Sequence, residues 1–210
     1  STTITNNGNA GLNLATTGSI NTNGLDMLNT TGDLQVDGNI DNKGNVTITN
    51  EGENFIVNGT ITNKEGTLAF LNKNGALNIN TSGRVSNTGN STITNNGSEG
   101  LNIHGNITNG GTLDLTNTGT EGLNISGNVS STGNITATNS GTKGVNIESS
   151  GRVTGQNNIT INNTATGGVN VKGLVNAKNN VNIASNNGNV VIGDNTENNN
   201  YVTAGNDINI

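Results

Sequence analysis

His104 and fourteen carboxylates are the groups in this 210-residue sequence best suited to acid, base or metal chemistry, because cysteine is absent. His104 sits in a bend beside Gly105, without a repeating Ser or Asp partner, and reads as a solvated bend residue rather than a general base. Asp33, Asp37 and Asp41 fall within one repeat, but their spacing builds no repeated cation cage. The Gly-Gly-x-Gly-x-Asp calcium nonapeptide and the twelve-residue EF-hand pattern are both absent. Glycan-cleaving sites need clustered acids and bases or aromatic platforms. One Tyr and two Phe cannot line such a platform, and Phe55 and Phe70 fall in core phase. The expectation is therefore no enzyme, no catalytic residue, no metal site and no cofactor.

Composition narrows the partners. A net charge of -6 with eight scattered Lys and Arg gives no basic surface for nucleic acid or for an anionic membrane. No apolar run is long enough to insert across a bilayer as a helix. Only 28% of residues are apolar, yet charge is low at 10% and proline is absent, so neither an ordinary core nor ordinary disorder is indicated.

What positions these residues is a repeat. Apolar-x-apolar triplets begin at Leu12, Leu34, Phe55, Leu77, Leu101, Leu123, Val145, Val169 and Val190, spaced 21 to 24 residues apart. After each triplet comes a lone aliphatic, as at Ile40, Val85 and Val129, and then an alternating pair, as at Val46 and Ile48 or Leu113 and Leu115. Three period-two segments separated by Gly, Asn, Ser and Thr predict three strands and three bends per repeat. Strands this short bury a face only by stacking on the next repeat. The fold class is accordingly all-β: a parallel β-helix of nine coils, wound right-handed by the chirality of β crossovers and roughly 45 Å long at strand spacing. Residues 1–210 read as a single repeat domain, opening mid-pattern as a piece of a longer shaft would.

Finer features have fixed phase. Asn6, Asn29, Asn50, Asn72, Asn95, Asn117, Asn139 and Asn163 each stand two residues past the third strand's second apolar position. Period-two alternation points them inward, where stacked amides can hydrogen-bond as a ladder. Gly11, Gly100, Gly122, Gly144 and Gly168 precede triplets at bends that need positive φ or close coil approach. Two-residue insertions before Val85 and Val153 fall in a bend. Outward Thr47, Thr92, Thr136 and Thr160 resemble an ice-binding column, but Asp114 and Asn182 break it. Asn-x-Ser/Thr sequons such as Asn58, Asn106 and Asn134 single out no glycosylation site in so Asn-rich a chain. The longest irregularity, Gly193 to Gly205, predicts a protruding candidate interaction loop with Asp194, Glu197 and Tyr201.

Three stretches carry a family likeness: GLVNAKNNVNIASNNGNVVIG from Gly173, TAGNDINI from Thr203, and the repeated GNITATNSGTKGVNI type of coil. Across essentially the whole chain they resemble the haemagglutinin repeats of filamentous-haemagglutinin-like exoproteins. These are bacterial adhesins exported by two-partner secretion, a group that includes contact-dependent inhibition proteins. The resemblance implies a secreted or surface-attached β-helical shaft. Its implied partners are an outer-membrane transporter during export and a host or neighbouring-cell receptor or glycan; open strand edges add end-to-end self-association. That family's secretion domain carries Asn-Pro-Asn motifs and this chain has no proline, so the likeness is to shaft. A carbohydrate-binding or carbohydrate-degrading β-helix and a self-assembling extracellular filament subunit are the alternatives.

Overall fold

A computed structural model describes residues 1–194 and 201–210. Among the described residues every regular element is a strand, and the strands form three parallel sheets. The triplets, from Leu12–Leu14 to Val190–Ile192, make a nine-stranded first sheet. Strands from Ser19–Thr22 to Val202–Ala204 make a nine-stranded second sheet, and those from Thr2–Asn6 to Ile208–Asn209 a ten-stranded third. The chain visits the sheets in rotation, and each strand pairs with its counterpart one coil away. The protein is a parallel β-solenoid of about nine turns.

Register is held residue for residue: Leu101 pairs with Leu77 and Leu123, Ile107 with Val85 and Val129, and Asn95 with Asn72 and Asn117. Alternation then sends one face of every strand into a narrow axial core. A slip of one residue would turn the aliphatic set out to water, so burial fixes the register that hydrogen bonding alone leaves free. Leu101, Ile103, Leu113, Leu115, Leu123 and Ile125 are fully buried, whereas the outward residue between each pair is not. In the third coil Phe55 and Phe70 pack with ring centroids 5.1 Å apart at 58°.

Length variation is absorbed in bends. Before Arg84 and Arg152, a tight turn with Gly83 N–H donating to Asn80 O and Gly151 N–H to Glu148 O (both 2.7 Å) takes up the extra residues. Arg84 still pairs with Asn106, and Arg152 with Asn128. Gly122 and Gly144 adopt φ of 87° and 79°. A Cβ on either would lie 2.4 or 2.3 Å from the carbonyl oxygen of the next coil's glycine. Gly100 holds the equivalent position by close approach alone, its Cβ site 2.9 Å from Gly122 O. The outward threonine column is more broken than expected, since Asp26 and Ala69 join Asp114 among its interruptions.

The core predicts a sharp contrast in tolerance. Ile125→Ala should lower stability by about 2–5 kcal/mol, because neighbouring coils hold a cavity open. Outward Thr116→Ala should stay within about 0.5 kcal/mol. Chemical denaturation of the two variants against the parent chain measures both.

Candidate functional site

The expected amide ladder is present and continuous. Asn6 Nδ2 donates to Asn29 Oδ1 at 2.7 Å, Asn29 to Asn50 at 2.8 Å, Asn50 to Asn72 at 2.8 Å and Asn72 to Asn95 at 2.9 Å. Asn95 then donates to Asn117 at 3.1 Å, Asn117 to Asn139 at 2.9 Å and Asn139 to Asn163 at 2.8 Å. The second amide proton goes to the residue's own bend: Asn29 to Thr31 O, Asn72 to Asn74 O, Asn117 to Gly119 O, Asn139 to Gly141 O and Asn163 to Ala165 O. All but Asn6 are fully buried. An amide offers two donors and one carbonyl acceptor, and an interior member such as Asn117 engages all three. With nothing left for a ligand, these side chains serve to pin the corner.

A second ladder, not anticipated from the sequence, runs along the corner between the second and third sheets. Asn42 donates to Asn63 at 2.7 Å and Asn63 to Asn87 at 2.8 Å. Asn87 passes the chain to Ser91 Oγ at 2.9 Å, which donates to Asn109 Oδ1 at 2.6 Å, and Asn109 reaches Ser131 Oγ at 3.2 Å. The signal was available, because Asn42, Asn63, Asn87 and Asn109 each stand two residues past the second strand's aliphatic residue. It fades in the later coils, where Gly155 and Ala177 take the position. Ser91 carried no signal, since it fills an inward site that neighbouring coils give to Leu68 and Leu113. At the ladder's start, Asn42 Oδ1 is buried without a donor among the described residues, because the residue paired with Asn42 is Thr22.

Outside, the same register aligns surface groups. Asn102 donates to Asn78 at 2.8 Å, Asn124 to Asn102 at 2.8 Å, Asn146 to Asn124 at 3.0 Å and Asn170 to Asn146 at 3.1 Å, forming a half-buried stripe on the first sheet. The three clustered aspartates diverge. Asp33 Oδ1 accepts from Asn54 N–H at 2.9 Å, Asp37 Oδ1 accepts from Asn58 at 2.7 Å, and Asp41 pairs with Lys64 at 2.7 Å. No group of His, Cys, Asp and Glu capable of holding a metal ion occurs among the described residues.

His104 lies in an exposed bend as expected, but it has a Ser partner that the sequence did not show. Its Nδ1 lies 2.6 Å from Ser126 Oγ, one coil on, a pairing 22 residues apart that only the coil register creates. The pair is exposed, and Ser126 and Gly127 N–H both already donate to Ile103 O, so neither is available to hold an oxyanion. The arrangement is a bend hydrogen bond between neighbouring coils.

Of the candidate loop, Tyr201 Oη donates to Asp194 Oδ1 at 2.7 Å, and Tyr201 O accepts from Val175 N–H at 2.7 Å. Tyr201 is thus joined to Asp194 and to the second sheet at Val175. Glu197 lies outside the described residues. A shallow depression of about 320 Å³ crosses the outer face of the second sheet, lined by Thr60, Arg84, Ser86, Asn106, Thr108 and Asn128. Among the described residues no helix is long and apolar enough to cross a membrane. Comparison with models of known protein families, with curated proteins and with solved structures gives no match.

The ladders predict position-dependent costs. Asn117→Ala removes both donated bonds and strands the Asn95 amide in the core, costing about 1–3 kcal/mol in denaturant unfolding. Asn124→Ala, in the outer stripe, should cost under about 0.5 kcal/mol. Conversely, Thr22→Asn gives Asn42 Oδ1 its missing donor. It should raise the unfolding free energy by about 0.5–1 kcal/mol, after loss of the Thr22–Thr2 hydroxyl contact and with the new amide taking over the Thr22 bond to Gly24 O.

Proposed function

We propose that this chain is a structural shaft segment of a large secreted or cell-surface bacterial adhesin, holding a binding region away from the cell. The observation that supports the reading is the unbroken strand register through successive coils, reinforced by an amide ladder from Asn6 to Asn163. Such a structure is stiff, extensible by whole coils and self-templating, which are the properties a display shaft needs. In this reading the chain carries no catalytic residue. It meets an outer-membrane transporter during export, and the parent adhesin engages a receptor or glycan on a host or neighbouring cell. Each coil that stacks outside the membrane blocks backsliding, so folding itself draws the chain outward.

Export of the full parent chain tests this. Deleting residues 101–122 removes one register unit and joins Gly100 to Leu123, so the strand register and the first amide ladder are preserved. That variant should fold and be exported like the parent. Scrambling the same residues removes the template for the next coil and should slow export. Equal export of the scrambled and parent chains would refute the shaft mechanism.

A second reading, a carbohydrate-binding or carbohydrate-degrading β-helix, draws support from the depression beside Arg84. Specific binding on a glycan array, lost in Arg84→Ala, would favour it. A third, a self-assembling filament subunit, rests on the in-register stacking of each strand on its counterpart one coil away, a pattern that copies of the chain could continue. Association in the ultracentrifuge that grows with concentration would favour that reading.

A further inference from the structure

Seven Asn-Gly pairs occur in the sequence. In such a pair the glycine nitrogen can attack the asparagine side-chain carbon. Solvent base takes the glycine N–H proton as the N–Cγ bond forms, and the Cγ–Nδ2 bond then breaks as the departing nitrogen takes a proton from solvent and leaves as ammonia. Water then opens the cyclic imide at either carbonyl, leaving aspartate or isoaspartate. The attack needs a glycine N–H free of any acceptor and an asparagine amide free to swing over the backbone.

The fold separates the pairs by these two requirements. Asn109 is 2% exposed, its Nδ2 donates to Gly111 O and Thr112 O at 2.8 and 2.9 Å, and Gly110 N–H donates to Asn87 O at 2.7 Å. Asn58 is similarly held, its Nδ2 on Asp37 Oδ1 at 2.7 Å and Gly59 N–H on Val36 O at 2.9 Å. Asn74 and Asn187 each keep one amide bond, to Glu51 O and Thr164 O, both at 2.8 Å, and the exposed Asn7 and Asn96 each accept at Oδ1 from a threonine hydroxyl of the next coil, Thr30 at 3.4 Å and Thr118 at 3.3 Å. Asn23 differs from all of these. It is exposed, and among the described residues neither its amide nor the Gly24 N–H has a hydrogen-bond partner.

We propose that Asn23–Gly24 is a self-modification site, converting to aspartate and isoaspartate in the folded protein, and that the coil register shields Asn58 and Asn109 from the same reaction. The extra backbone atom of isoaspartate falls in the bend between Thr22 and Leu25, where a solenoid tolerates added length. At Asn109 the same change would put a carboxylate into the buried second ladder.

Incubating the intact folded chain at mildly alkaline pH, then mapping ammonia loss and isoaspartate by mass spectrometry, tests the proposal. Asn23 should convert at least about tenfold faster than Asn58 and Asn109, equivalent to about 1.4 kcal/mol of protection. In urea the three rates should converge. Equal rates in the folded chain, or a gap that survives in urea, would overturn the proposal, because the discrimination would then not come from the fold.

Discussion

Every feature of this molecule depends on one constraint: each strand must lie in register on its counterpart a coil earlier, at the spacing a parallel β ladder allows. A single coil buries almost nothing, so stability exists only as interfaces between coils. The aliphatic columns supply the apolar burial that holds those interfaces. The cost of misregistering them is the exposure of a whole face, which is why a chain with so few apolar residues can still specify one arrangement.

Asparagine solves the problem that a three-sided coil creates at its corners. There the backbone turns away from the sheets and leaves carbonyl groups pointing inward without ladder partners, a costly state when buried. A stacked amide supplies one donor to such a carbonyl and one to the amide above it, as Asn117 does toward Gly119 and Asn139. The first ladder persists to Asn163. The second gives way from amides to Ser131, whose hydroxyl accepts from Asn109 and donates to Gly111 O, and then to Gly155 and Ala177, which carry no polar side chain to satisfy. The two corners thus use different chemistry to satisfy one geometric demand.

Register also creates surface pairings between residues far apart in sequence. His104 with Ser126 and Asp41 with Lys64 are neighbours only because coils stack. The bends, being free of core constraints, are where the chain varies. They hold the insertions before Arg84 and Arg152 and the freest Asn-Gly pair at Asn23. A scaffold of this kind keeps its axis constant and leaves change to its rim.

By itself the sequence determined the number of coils, the three strands in each, the inward aliphatic columns and the Asn6 to Asn163 ladder, because period and phase express all of these directly. Tertiary structure alone decided that Ser91 bridges Asn87 to Asn109, that Asn42 Oδ1 lacks a donor among the described residues, and that His104 meets Ser126. Those outcomes depend on which residue occupies the neighbouring coil at one position, and on where a bend returns the chain. Periodicity averages over such local differences, whereas packing resolves them one contact at a time.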